Sequence, residues 1–378
     1  MKQRVLFLSI SGALIVGVVV LASGAAGAAG KGMYRLVGLF GQVVQLVRTN
    51  YVEDVPVSTL ELGALSGLVE AADSGGSFVP DDAASDYARA TGRAIPPFGL
   101  VLGKRASYPT VLEVIEGSPA ARAGILPGEL IERIGSEPVR ARPLWRALVL
   151  LDAGERKGGA VDLDVIDRQA TGKRRVTLTA GAVTVPPPAV ALRSEVPVAR
   201  LASVDPAAAK QLAGALAGYA TAPALILDLR GVALGSASGA AEVAAALAGG
   251  DVRVRLGGRD GKTDDLRATG PSRAWRVVVC QDSTTAGAAE LLAAALKSRG
   301  ATLIGGESYG DTGQRRAHPG AGGAVWLAAS WGLGPDEKPL LGSGLKPDEA
   351  VRGGRAGDAV LDRALELAAG GHAEKKAA

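Results

Sequence analysis

The run from Trp275 to Gln314, WRVVVCQDSTTAGAAELLAAALKSRGATLIGGESYGDTGQ, constrains the fold more than any other stretch of the chain. Trp275 to Cys280 is short, apolar and rich in Val, as a buried strand requires. Gln281 to Thr285 is a polar turn. From Ala286 to Arg299 the pattern is helical, with Leu291, Leu292, Ala295 and Leu296 on one face and Gly300 just past the end. Ala301 to Gly305 reads as a second strand, followed by a Gly-rich loop. This order puts a helix N-terminus at the C-terminal edge of a sheet, where backbone N–H groups and the helix dipole favour anions and oxyanions.

The same residues resemble the active-site segment of the C-terminal processing peptidases, serine peptidases that use a Ser–Lys dyad. That family opens the helix with Ser-Ala-Ser-Ala-Ser-Glu, the middle Ser being the nucleophile. Gly-Glu, an aromatic residue and Gly-Lys-Gly follow, with a Gln shortly after. The corresponding stretches here are TAGAAELLAAAL and GGESYGDTGQ. Counting back from Glu290, the resemblance puts Gly287 at the nucleophile position and Asp311 at the Lys position. Aligning on Gln314 instead puts Gly310 there, and no register supplies a Lys. Ser283, Thr284 and Thr285 stand a few residues early, as shifted nucleophiles or as helix caps. Lys297 would lie about 15 Å from the turn at 1.5 Å per helical residue, a poor place for a base.

Hydrophobic residues make up 47% of the chain and aromatics only 4%, with 53 Gly, so the core must be aliphatic and Ala-rich. A net charge of +4, spread along the sequence, is too weak to argue for a nucleic-acid partner. The single Cys, Cys280, excludes an intramolecular disulfide and ends an apolar strand, so packing is its expected role. With only His318 and His372 besides, a Cys–His or Ser–His–Asp site and a His/Cys metal cluster are not expected, and no metal or other cofactor is implied.

Lys2 and Arg4 precede an apolar run from Val5 to Leu21 and a small-residue segment, the pattern of an export signal or a retained anchor over residues 1–30. The expected location is the periplasm or the outer face of the cytoplasmic membrane, with a membrane link through the N-terminus. Residues 31–95 read as a helical hairpin around YVEDVPV.

Residues 96–181 resemble a PDZ domain. PFGLVLG looks like its carboxylate-binding loop, and SPAARAGILPGELI carries the turns that follow, with Pro119 opening a short helix. Pro143 to Leu151 reads as the groove helix. Such a domain binds an extended C-terminal peptide by strand addition. The resemblance offers Phe98, Gly99, Leu100, Leu102, Leu144 and Leu148 as the peptide-binding residues, and each apolar side chain is equally a core candidate. VTVPPPAV is a Pro-rich linker. Beyond it, residues 190–369 alternate strands with helices, an α/β layer with a largely parallel sheet. ALILDLRG there resembles the strand before the family's oxyanion loop. The family continues Asn-Asn-Pro-Gly-Gly, and only Gly235 keeps its place, as an oxyanion donor or a plain strand–helix turn. GLKPDEAV resembles the family's closing segment, and residues 370–378 are expected to be a disordered tail.

The expected fold is thus α/β plus a PDZ-type β-barrel, with a signal or anchor and a helical hairpin in front. The expected function is that of a pseudoprotease binding peptides or protein C-termini, an envelope protein or an active peptidase. A serine endopeptidase with its nucleophile displaced into 283–285, and a plain envelope scaffold, are the alternatives. Export has a direct check. A reporter fused after Pro80 is expected to be active only outside the cytoplasm, and cytoplasmic activity would contradict the reading of the N-terminus.

Overall fold

The computed structural model describes residues 28–271, 275–320, 322–352 and 358–370. The signal or anchor expected over residues 1–30 falls mostly, and the tail expected over 370–378 almost wholly, outside the described residues. Among the described residues no helix is long and apolar enough to cross a membrane.

The chain divides into two compact units, residues 1–65 and 66–378. In the first lies α1 (Ala28–Asn50), which exposes Val37, Leu39, Phe40, Val43 and Leu46. Helix α2 (Val57–Ala72) follows and runs across the boundary.

Among the described residues the second unit holds three sheets. It starts with β1 (Ser77–Pro80) and α3 (Ala84–Thr91). Next come β2 (Leu100–Arg105), β3 (Tyr108–Val114), α4 (Pro119–Arg122), β4 (Leu130–Ile134), β5 (Glu137–Pro138), α5 (Leu144–Arg156), β6 (Ala160–Ile166) and β7 (Lys173–Thr179). These strands form an antiparallel sheet in the order β2-β3-β4-β6-β7, with β5 paired to β4. Ser118 starts α4 as the sequence suggests: its hydroxyl accepts from the Ala121 N–H at 3.2 Å, and Pro119 needs no partner for a missing N–H. Phe98, Leu100, Ile131, Leu151, Leu163 and Leu178 fill the space between this sheet and α5.

After the Pro-rich segment the chain forms β8 (Ala189–Arg193), β9 (Val196–Arg200), α6 (Pro206–Ala215), β10 (Ala224–Asp228), α7 (Ala237–Ala248), β11 (Gly250–Gly258), β12 (Thr263–Gly270), β13 (Arg276–Gln281), α8 (Ala288–Ser298), β14 (Thr302–Gly305), β15 (Gln314–Gly320), β16 (Gly323–Gly332), β17 (Glu349–Ala350) and α9 (Ala359–Ala368). The central sheet runs β17-β14-β13-β10-β9-β8 and is parallel except for β8. Alternation along its strands separates two cores. Leu225, Leu227, Val277 and Val279 face α7 and α8, whereas Ala224, Ile226, Val278 and Cys280 face α9. Cys280 is wholly buried, and burial pushes its thiol up to about 12, as suits a packing residue.

The third sheet is antiparallel, β1-β16-β11-β12 with β15 on β16. The polar, Gly-containing stretch from Arg259 to Arg273 contains β12, which pairs with β11 from Gly250 onward. Neither β1 nor β15 alternates: β1 (SFVP) is nearly all buried and β15 (QRRAHPG) nearly all exposed.

Candidate active site

The parallel strands β10, β13 and β14 end side by side, and the turns leaving them build the site. The turn from β13 into α8 is tied to the end of β10. Thr285 Oγ donates to the Leu229 carbonyl at 3.0 Å and accepts from the Asp282 N–H at 3.1 Å. Thr284 Oγ accepts from the Gly231 N–H at 2.9 Å and donates to the Asp282 carboxylate. Both threonines are buried and their hydroxyls are committed to the turn. Ser283 faces the other way, into a cleft of about 990 Å³ that Arg105, Arg168, Lys346 and Arg352 also line. Lys297 pairs with Asp348 at 2.8 Å.

Gly287 ends the turn at φ 57° and ψ −117°. This is a sharp strand-to-helix elbow of the kind that exposes a nucleophile in α/β-hydrolases, and it favours glycine unless a function holds another residue there. A Cβ at Gly287 would meet nothing closer than the Ala233 carbonyl oxygen at 3.4 Å, so there is room for a side chain.

Glu290, one turn into α8, has no exposed surface. Its carboxylate accepts from the Gly287 N–H at 3.0 Å, the Gly310 N–H at 2.7 Å, the Asp311 N–H at 2.9 Å and the Ser308 hydroxyl at 2.5 Å. Burial, opposed by these donors, pushes its carboxyl up to about 7. One side chain therefore fixes the elbow and the loop that follows β14. Sequence reading uses Glu290 only as a counting mark. The signal it misses is an acid three residues into a helix, facing back to its own N-terminus.

Asp311 does not point a free carboxylate at the elbow. Its Oδ1 lies 2.7 Å from Arg315 Nη2, and Arg315 also binds Asp73 through Nη2 at 2.8 Å and Nε at 3.1 Å. Burial works against the Arg315 charge, yet the two carboxylates raise its pKa further above the ordinary range. Burial alone would raise Asp73, but Arg315 and the Ala328 and Gly75 N–H groups hold it below the usual carboxylate value. Gln314 is exposed at the start of β15.

Gly235, the oxyanion candidate, has φ 148° and bridges to Val204; a Cβ there would come within 2.3 Å of the Val204 carbonyl oxygen. That steric demand alone explains its glycine. The two N–H groups just before it, on Ala233 and Leu234, both donate to Glu113 Oε2 at 2.7 Å. Glu113 comes from β3 and is 2% exposed, so the antiparallel sheet reaches into the turn after β10. Burial raises its carboxyl to about 7, against the pull of these two N–H groups and of Arg200.

The six proposed peptide-binding residues divide. Phe98, Leu100 and Leu102 are buried in the core of the antiparallel sheet, so their side chains do not line a groove, while Leu144 and Leu148 are half-buried against that core. What Phe98, Gly99 and the start of β2 offer a ligand is backbone.

The comparisons with known proteins agree with this layout. The model of Peptidase family S41 matches residues 196–351, and that of the PDZ domain matches residues 110–157. The chain belongs to the C-terminal processing peptidase family, with a PDZ domain. Among its relatives is the carboxy-terminal-processing protease of Bartonella bacilliformis, 25% identical over 341 residues, which span 84% of this chain and 75% of the relative. Another is the carboxy-terminal processing protease CtpA of Bacillus subtilis, 23% identical over 80% of this chain and 66% of the relative. A photosystem II D1 C-terminal processing protease has the same fold, with a TM-score of 0.64 at 21% identity over 83% of this chain and 92% of that one.

Glu113 generates a pH prediction with a definite sign. A carboxyl at 4.5 in the unfolded chain and about 7 in the fold makes the folded state hold a proton that the unfolded state lacks between those values. Its contribution to stability is therefore greatest below this window and is lost as pH rises through it. Glu113→Gln, which keeps an acceptor for both N–H groups, is expected to lose less stability than the wild type between pH 5 and pH 8, by up to about 3 kcal/mol. Urea unfolding at the two pH values measures this, and equal losses would contradict it.

Proposed function

We propose that the chain is an exported, PDZ-containing member of its family whose peptidase site has lost its chemistry, and that it acts by binding peptides or protein C-termini. An active peptidase or another envelope protein would be the partner it modulates. The division that goes with this reading is an N-terminal signal or anchor over 1–30, a helical region over 31–95, a PDZ domain over 96–181 and a peptidase-like domain over 190–369.

The elbow at Gly287 carries the proposal. The dyad needs a hydroxyl at the elbow and a neutral Lys beside it to take the proton. The elbow keeps its backbone conformation and the room for a side chain, but offers no hydroxyl. Asp311, the residue read at the Lys position, is held by Arg315 in an ion triad with Asp73. A guanidinium between two carboxylates remains charged and does not serve as a base.

A second reading, an active serine peptidase with a displaced nucleophile, draws support from Ser283 alone. Its hydroxyl makes no hydrogen bond among the described residues, and it shares a cleft with Lys346. A serine-directed phosphonate probe on the whole chain separates the two. The expected result is no labelling and no cleavage of an unfolded protein substrate. Labelling that Ser283→Ala abolishes, with cleavage falling by several orders of magnitude, would overturn the degenerate reading.

A further inference from the structure

Strand addition needs the outer edge of β2, and the register shows which groups that edge presents. In the antiparallel ladder Lys104 lies opposite Pro109. Proline has no N–H, so this is not a hydrogen-bonded pair, and the Lys104 N–H and C=O face away from β3. These are the groups that an added peptide strand would pair with. Both are already taken. The Tyr309 hydroxyl accepts from the Lys104 N–H at 2.7 Å and donates to the Lys104 carbonyl at 2.6 Å.

The carboxylate seat at the other end of the edge is filled as well. Phe98 has a left-handed φ of 55°, and its N–H donates to Glu155 Oε1 at 2.7 Å. The next two N–H groups are spent locally, Gly99 on the Pro96 carbonyl at 3.0 Å and Leu100 on the Pro97 carbonyl. Glu155 stands in the last turn of α5, and its second oxygen lies 2.6 Å from Arg93 Nη2. A carboxylate held by a backbone N–H of the loop and a guanidinium has the chemistry that a peptide C-terminus would bring.

We propose that Glu155 and Tyr309 are built-in ligands of the peptide groove, Glu155 in the place of the terminal carboxylate and Tyr309 in the place of a paired strand residue. The inference rests on the reading that this groove binds peptides. A free peptide carboxylate exchanges with the Glu155 carboxylate on Phe98 N–H and Arg93, so most of its charge-assisted binding is cancelled by what Glu155 gives up. The wild-type groove therefore discriminates little between a free and an amidated C-terminus, and Glu155 sets that specificity. Tyr309 acts on the strand edge, where both peptides pair alike.

Calorimetric titration of the whole chain with a hexapeptide ending in Ala-Leu-Val, as free acid and as amide, tests both parts. Glu155→Ala is expected to tighten the acid by about tenfold or more and to leave the amide little changed, because Arg93 keeps its contact with Asp152 at 3.1 Å and waits for a carboxylate. Glu155→Gln, which keeps an acceptor for Phe98 N–H without the charge, is expected to give a smaller gain and guards against misfolding of the Ala variant. Tyr309→Phe is expected to tighten acid and amide equally. If the wild type already prefers the acid strongly and Glu155→Ala leaves that preference unchanged, Glu155 is not a built-in ligand, although the groove reading stands. If neither peptide binds any of the four proteins, the groove reading and this inference fail together.

Discussion

Four donors converge on the buried carboxylate of Glu290, and the architecture around the elbow depends on that convergence. Burying a carboxylate is costly unless its oxygens are satisfied. Here the satisfying groups belong to two separate pieces of chain: Gly287 at the head of α8, and Ser308, Gly310 and Asp311 in the loop after β14. One side chain thus ties that loop to the helix, and the Tyr309 N–H adds a backbone bond to the Thr285 carbonyl at 2.9 Å. Ser308 extends the arrangement, since its hydroxyl accepts from the Leu345 N–H at 2.7 Å and so holds the segment before β17.

The same device recurs around the sheet edge. Glu113 reaches from β3 to two N–H groups of the turn after β10, and Asp73 gathers Arg315, Gly75 and the Ala328 N–H of β16. Each acid joins segments distant in sequence, and each is nearly or fully buried. The turns around the elbow are therefore held together by buried carboxylates from separate segments of the chain. The elbow and the loop after β14 are ordered although Gly287 brings no hydroxyl and Asp311 is paired with Arg315.

Much of this fold can be read in the sequence because its strongest elements are local. ALILDL and WRVVVC are continuous apolar runs and form adjacent parallel strands, and SPAARAG spells out a capped turn of helix. What escapes reading is long-range. Ser77 to Pro80 pairs with Gly323 to Trp326, and neither partner betrays the other. PFGLVLG reads correctly as a loop entering a strand, yet its Phe and Leu side chains enter the core, because the first residues of β2 cover α5. No sequence pattern distinguishes Glu113 or Glu155 from the many acids on the surface, and Glu290 is marked only by its place three residues into a helix. Only the fold brings backbone N–H groups to them.

The central claim is that the Glu290 side chain joins the elbow to the following loop, beside the backbone bond from the Tyr309 N–H to the Thr285 carbonyl at 2.9 Å. Hydrogen–deuterium exchange on Glu290→Gln and Glu290→Ala against the wild type tests it most directly. The account predicts faster exchange at the amides of Gly287, Gly310 and Asp311 in both variants, more so in the Ala variant, with β10 and β13 as protected as before. Unchanged protection of those three amides in a folded Glu290→Ala protein would contradict it.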